Sequence, residues 1–171
     1  MSRMKSFFVV ALVVIIVLVG ATILRAYMYP IKYEDEFKTY CSQFEIPLSL
    51  GYAVAKCESN FNYEAISFAG AIGIMQLMPT TADYIAGLIG YYEEINLQDY
   101  KVNIMLGCAY LSYLMNKFDN MKQVVMAYNA GEGRVQEWML SDPNLIELPY
   151  DETKNYYAKV KYAKFVYDNL I

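Results

Sequence analysis

The chain has 171 residues, of which 57% are hydrophobic; 18 are tyrosine, three are cysteine and none is histidine. The lack of histidine excludes a Ser-His-Asp or Cys-His nucleophile system and any histidine-ligated zinc site. Residues 26–171 contain all 18 acidic residues but only 11 of the 14 basic ones, a net charge of −7 that argues against nonspecific nucleic-acid binding.

The N-terminal segment predicts a membrane helix. Residues 7–24 carry no charge, and Arg3 and Lys5 precede them. This run is close to the roughly 20 residues that a span needs and longer than the usual secretory apolar region of about 7–15 residues. We therefore expect a cytoplasmic segment at 1–6, an uncleaved transmembrane signal anchor at 7–26, a linker at 27–31 and one extracytoplasmic domain at 32–171. A cleaved signal peptide is the alternative.

The rest of the chain has helical periodicity and almost no period-two alternation. The pattern predicts helices at 32–45, 47–58, 79–89, 99–118, 120–129, 131–140 and 152–169. Long loops at 59–78 and 141–151 separate some of them. We expect a single all-α domain with a groove, and a minor β element in the first loop is compatible with the pattern.

The three cysteines, Cys41, Cys57 and Cys108, form no C-x-x-C pair, so a metal or thioredoxin-like site has no support. Outside the membrane two of them have the option of pairing, which leaves one over. For Cys57 and Cys108, which lie in apolar helical patterns, small buried hydrophobic residues are the better interpretation.

Glu58 is the strongest candidate for chemistry. It ends the apolar run 48–57 and lies one helical turn after Val54, at the edge of an apolar stripe. Desolvation there raises the pKa of a carboxyl, which is how a glutamate becomes a general acid near neutral pH. Taken alone, a glutamate at a helix end is more often a solvated acid.

Four motifs, the first of which contains this glutamate, follow one another between residues 46 and 160. They are E-S-x-F with S-x-x-G-A-x-G-x-M-Q-L-M-P after it, then N-I-M-L-G-C-A-Y-L at 103–111, A-Y-N-A-G at 127–131, and L-P-Y-D-E-T at 148–153 with Tyr156. The ordered set resembles the lytic transglycosylase family, which cleaves peptidoglycan and has a goose-type lysozyme-like fold. The resemblance implies that 32–171 is a catalytic domain.

The resemblance also implies a mechanism. In the family the matching glutamate acts alone on the β-1,4 bond between N-acetylmuramic acid and N-acetylglucosamine. It protonates the leaving oxygen and then removes the proton of the 6-hydroxyl, which gives a 1,6-anhydro end without water. No metal or organic cofactor is implied. Ordinary glycosidases need two carboxylates, and Glu64, six residues on, is better interpreted as a solvated acid in a turn.

Six residues match the family's substrate-binding positions: Ser67, Gln76, Met78, Tyr128, Asn129 and Glu152. Four of them have a structural alternative. Ser67 suits a turn, Met78 core packing, Tyr128 a buried tyrosine, and Glu152 the N-terminus of a helix. For Tyr156 and Trp138, core packing is the better interpretation. The resemblance places the hydroxyl of Tyr128 toward Glu58 and the sugar.

The expected protein is a membrane-anchored peptidoglycan lytic transglycosylase whose partners are glycan strands and the membrane; the sequence identifies no protein partner. The chain departs from the family at Phe68 and Tyr63, where relatives often have proline, so we expect a less rigid loop and an altered subsite preference. The alternatives are a hydrolytic muramidase on the same fold and an inactive, membrane-tethered wall-binding or assembly module.

Overall fold

The computed structural model describes residues 2–143, 145 and 151–171, with side chains from residue 7 onward. The chain divides into two units, Met1–Lys32 and Tyr33–Ile171. The second loop of the sequence analysis falls largely outside the described residues, and with it the Leu148–Tyr150 part of the last motif.

The first unit contains one helix, α1 at Ser2–Met28. Its stretch Phe7–Met28 is long and apolar enough to cross a membrane by length and composition, and none of it is buried. A signal sequence near the N-terminus has the same properties. Both interpretations of this segment, the anchor and the cleaved signal, therefore stay open.

The second unit is all-α in its described part. Its helices are α2 Glu34–Gln43, α3 Leu48–Ser59, α4 Pro79–Ile89, α5 Tyr100–Lys117, α6 Met121–Ala130, α7 Glu132–Ser141 and α8 Asp151–Asp168. Each of the seven helices predicted from the sequence is present, with bounds that differ by no more than two residues.

Local sequence signals explain where these helices begin and end. Pro47 directly precedes α3, and Pro79 is the first residue of α4, where its missing N–H costs no helical hydrogen bond. The side chains of Asp99 and Asn120 accept backbone N–H groups from the first turns of α5 and α6. Gly131, with φ of 88°, separates α6 from α7.

The core is built around α3, against which α8 packs more extensively than any other described helix pair. Leu50, Tyr52 and Val54 of α3 are fully buried. The Tyr52 ring lies between two other aromatic rings, with centroid distances of 4.6 Å to Phe37 of α2 and 5.1 Å to Tyr167 of α8. These aromatic contacts join α3 to α2 and α8.

The loop between α3 and α4 contains the β structure of the described residues. It consists of two isolated antiparallel bridges, Ile66 with Ile72 and Ile72 with Leu77. The minor β element compatible with the sequence is therefore present in this reduced form. The bridges fold the loop back on itself, so that residues 65–77 lie beside the end of α3.

Candidate active site

Glu58 lies in the last turn of α3, where its side chain is partly buried. Burial raises the pKa of its carboxyl from 4.5 to about 7, and the hydrogen bond that it accepts from Tyr156 opposes part of this rise. No other carboxylate among the described residues contributes to the shift. Glu58 can therefore exist both protonated and ionised near neutral pH, as a group that acts first as an acid and then as a base requires.

Tyr156 of α8 is the direct partner of this carboxyl. Its hydroxyl donates a hydrogen bond of 2.6 Å to Oε1 of Glu58. Burial, the charge of Glu58 and this hydrogen bond all raise the pKa of Tyr156. The tyrosine is 9% exposed and continues the buried stripe of α8, so the core interpretation from the sequence was correct for its ring but missed the role of its hydroxyl.

The residues after Glu58 explain the E-S-x-F motif. Ser59 donates a 2.7 Å hydrogen bond to the carbonyl of Ile74, which ties the end of α3 to the folded-back loop. Asn60, with φ of 54°, ends the helix in the left-handed region that asparagine tolerates. Phe61 is 2% exposed and packs its ring 5.8 Å from that of Tyr52. The motif thus holds the acid on a fixed helix end.

Asn103 of α5 holds the loop that follows. Its side chain is fully buried, and its Oδ1 accepts the backbone N–H of Met75 at 2.7 Å. Its Nδ2 donates to the carbonyls of Ile72 and Leu97 at 2.9 and 3.0 Å. Gly73 passes so close that a Cβ there would lie 2.3 Å from Nδ2. The first residue of the N-I-M-L-G motif therefore fixes the loop backbone.

Four of the six predicted substrate-binding residues line one cavity of about 210 Å³: Gln76, Met78, Tyr128 and Asn129. Met78 is 39% exposed, so it is not a core residue. A second cavity of about 340 Å³ shares Thr81, Tyr110 and Gly131 with the first, so the two adjoin. We call the two cavities together the groove; the four predicted residues line its first part.

Tyr128 connects the groove to the acid. Its side chain lines the cavity, and its pKa is raised first by burial and then by the charge of Glu58. The hydroxyl donates its hydrogen to the carbonyl of Met75 at 2.8 Å, however. The hydroxyl that bonds directly to Glu58 is that of Tyr156. A direct contact of Tyr128 with a sugar stays a prediction.

The other two predicted substrate-binding residues are not among those that line this cavity. The Oγ of Ser67 accepts the backbone N–H of Ala71 at 2.9 Å, which is the turn role, and its own O–H keeps a donor for a ligand. Glu152 is exposed in the first turn of α8. Glu64 is also exposed, as expected for a solvated acid. Binding of substrate by Ser67 and Glu152 stays a prediction.

Phe68 and Tyr63 lie on the outside of the loop between α3 and α4. Phe68 is fully exposed and Tyr63 is 43% exposed. Neither packs into the core, and the loop is held elsewhere by the hydrogen bonds of Asn103 and Ser59. The fold of this loop therefore does not depend on a proline at either position. No group of three acidic or cysteine side chains suited to a metal ion occurs among the described residues.

Comparison with known families identifies the domain. The model of the family described as "Transglycosylase SLT domain" matches residues 35–148, two thirds of the chain. The chain belongs to this family. The SLT domain is 37% identical over 143 residues to the "Soluble lytic murein transglycosylase" of Escherichia coli K12, covering 77% of this chain and 22% of the relative. It is 33% identical over 116 residues to the "Membrane-bound lytic murein transglycosylase C" of Haemophilus ducreyi, covering 61% of this chain and 32% of the relative.

Solved structures show the same fold. The 70 kDa soluble lytic transglycosylase of Escherichia coli superposes with a TM-score of 0.80 at 33% identity, covering 85% of this chain and 25% of that one. It has also been solved in complex with bulgecin A. The lysozyme-like, all-α fold expected for the SLT domain is thereby confirmed. The chain spans about a quarter or less of the length of the first relatives that it matches.

Removing the hydroxyl of Tyr156 tests how the SLT domain holds its acid. We expect Tyr156→Phe to lower kcat by roughly 10- to 100-fold, since one charge-assisted hydrogen bond is worth about 1.5–3 kcal/mol. The pKa of Glu58 should rise further, because this bond favours its ionised form. A pH–rate profile measures both changes. Tyr157→Phe is the matched control on α8, and an unchanged profile in Tyr156→Phe would contradict the role.

The raised pKa of Glu58 also predicts a pH-dependent stability. Between about pH 4.5 and 7 the folded carboxyl keeps its proton while the unfolded one is ionised, so stability falls as the pH rises through this window. Glu58→Gln has no such group. The free energy of unfolding of the variant should therefore rise relative to that of the wild type across the window. At about 1.4 kcal/mol per pKa unit, the total rise should be roughly 3 kcal/mol once the pH exceeds 7.

Urea unfolding of the detergent-solubilised chain at about pH 5, 6.5 and 8 measures this difference. Glu64→Gln is the control, because Glu64 is an exposed glutamate only six residues away. A difference between Glu58→Gln and wild type that stays constant over this range would show that the carboxyl has an ordinary pKa.

Proposed function

We propose that this protein is a membrane-anchored peptidoglycan lytic transglycosylase that cleaves the β-1,4 bond between N-acetylmuramic acid and N-acetylglucosamine. The observation that carries the proposal is the carboxyl of Glu58, whose pKa is raised to about 7 and whose charge acts on Tyr128 of the groove. Family membership supports the reaction class. The names of the relatives support murein as the substrate.

In the proposed first step, protonated Glu58 gives its proton to the glycosidic oxygen, and the bond from C1 of the muramic acid to that oxygen breaks. N-acetylglucosamine leaves with a free 4-hydroxyl. Tyr156 keeps its hydrogen bond to the carboxylate that forms. The charge therefore develops on a group that already has a donor in place, which stabilises it at no cost of reorganisation.

In the second step, the Glu58 carboxylate removes the proton of the 6-hydroxyl of the same muramic acid while that oxygen bonds to C1. The product is a 1,6-anhydro ring, and Glu58 is protonated again. This scheme needs one carboxyl. It agrees with the exposed position of Glu64 and with the absence of other carboxylates, among the described residues, from the groups that shift the pKa of Glu58. Hydrolytic glycosidases use two.

The proposed location is the outer face of the cell membrane. Phe7–Met28 supplies a single span, and Arg3 and Lys5 before it favour a cytoplasmic N-terminus. The SLT domain then lies on the side of the cell wall. A membrane-bound lytic transglycosylase among the relatives supports this arrangement.

The mass of the released muropeptides tests the proposed function. The purified full chain in detergent is incubated with peptidoglycan, and the products are weighed. We expect fragments without a reducing end, lighter by one water than hydrolytic fragments. Reducing ends would identify a hydrolytic muramidase instead. A folded protein that binds glycan and releases nothing would be a wall-binding module.

A further inference from the structure

Two thiols meet in the core where α2 packs against α5. The Sγ atoms of Cys41 and Cys108 lie 3.8 Å apart, and the two residues are 67 positions apart in the sequence. Cys41 is 2% exposed and Cys108 is fully buried. From the sequence alone a pairing of two cysteines stays open, and Cys108 is interpreted as a buried hydrophobic residue. The structure brings these two together, and the mechanism uses neither.

Helix α3 passes close to Cys41 at Gly51. A Cβ at Gly51 of α3 would lie 2.8 Å from Sγ of Cys41. The two sulfurs are in van der Waals contact, and a bond of about 2.05 Å needs them to approach by roughly 1.7 Å. The bond therefore requires the two side chains to move toward each other within the contact that they already make.

We propose that Cys41 and Cys108 form a disulfide bond that ties α2 to α5 when the domain folds outside the cytoplasm. The location of the domain outside the cytoplasm rests on the proposed function, whereas the contact between the two sulfurs does not depend on it. Disulfides persist in oxidising compartments and are rare in the cytosol. The bond closes a loop that contains Glu58, Gln76 and Asn103, so it would restrain the segment that carries the acid and one wall of the groove.

The reaction needs a disulfide as the oxidant, either of a small thiol or of an oxidoreductase. The thiolate of Cys41 attacks one sulfur of that disulfide, forms a mixed disulfide and releases one reduced thiol. The thiolate of Cys108 then attacks the sulfur of Cys41 and releases the second thiol. Two electrons pass to the oxidant, and the two protons of the cysteines end on the released thiols.

The third cysteine is set apart from this reaction. Cys57 lies on α3 next to Glu58, and burial, with the charge of Glu58, raises its pKa to about 11. It is therefore a thiol at neutral pH and a poor nucleophile. Burial also raises the pKa of Cys108. The bond should accordingly form during folding, before α2, α3 and α5 close over the pair, and should resist exchange afterwards.

Tryptic mapping tests the bond directly, because the three cysteines fall in separate peptides, residues 39–56, 57–101 and 102–117. The full chain is refolded in detergent with mostly oxidised glutathione, then denatured and treated with a maleimide. We expect one maleimide per chain, on Cys57, and a linked pair of the first and third peptides. Three maleimides, or a linkage through Cys57, would overturn the proposal.

Thermal unfolding gives an independent readout that uses no peptidoglycan. Wild type that is reduced while unfolded and refolded in reductant should melt roughly 5–15 °C below the oxidised protein, as expected when a long loop is released. Cys57→Ala should behave like the wild type, and Cys41→Ala and Cys108→Ala should not respond to reductant. Glu58→Gln should form the disulfide normally. The absence of the disulfide can therefore be told apart from an absence of the proposed activity. A Tm of the wild type that does not depend on reductant would contradict the proposal.

Discussion

Glu58→Gln is expected to lower the rate of glycan cleavage by at least about 10³-fold. General acid and base catalysis each contribute roughly 10²- to 10⁴-fold, and this single carboxyl is proposed to perform both. Glutamine keeps the size of the side chain but neither donates nor removes the proton. The assay is the release of muropeptides from peptidoglycan by the full chain, followed over time.

Two controls make this result specific. Glu64→Gln, at an exposed position in the loop that follows α3, should retain nearly full activity. Glu58→Gln should bind glycan as well as wild type, because the groove residues are unchanged. A Glu58→Gln variant that is folded and cleaves within tenfold of the wild-type rate would remove Glu58 from the mechanism and direct attention to Glu152.

Asn103→Ala is expected to cause the largest loss of stability of any single polar substitution considered for this domain. It leaves the N–H of Met75 and the carbonyl of Leu97 buried without their partner, while Ile72 keeps the hydrogen bond from Leu77. Each such group costs about 1–3 kcal/mol. A total of roughly 3–5 kcal/mol should lower the Tm by about 10–20 °C.

The same variant should lose activity at temperatures where it is still folded. The loop between α3 and α4, which brings Gln76 and Met78 to the groove, would no longer have a fixed backbone. Thermal unfolding and muropeptide release are measured on one preparation. Asn62→Ala is the control: its side chain is exposed and accepts a single local N–H, from Glu64. If Asn103→Ala melts within about 3 °C of wild type, the loop is held by other contacts.

Much of this fold was predictable because its signals are local. Pro47, Pro79 and Asn120 mark helix starts, and the apolar periodicity gives each helix its buried face. Which helices pack against one another cannot be read from local sequence signals. The hydroxyl of Tyr156 reaches a carboxyl 98 residues away, and nothing in the stripe of α8 distinguishes a tyrosine that is only buried from one that also binds Glu58.

The candidate site shows the same division. Gln76, Met78 and Tyr128 were assigned to a groove by resemblance and do line one cavity. Nothing in the sequence indicates that Ser59 and Asn103 fix the intervening loop, since their hydrogen bonds to it span 15 and 28 residues. The contact of Cys41 with Cys108 was missed for the same reason, because the pairing of α2 with α5 is decided by tertiary packing.

The loop between α3 and α4 is held through its backbone, independently of the side chains that it exposes. Asn103 and Ser59 bind backbone atoms of Ile72, Met75 and Ile74, so these contacts do not depend on which side chains the loop presents. Phe68 and Met78, which are exposed, are therefore free to be exchanged at little cost in folding. The loop is a natural place for related chains to diverge in the glycans they prefer, and for an engineer to redirect that preference while the acid stays in place.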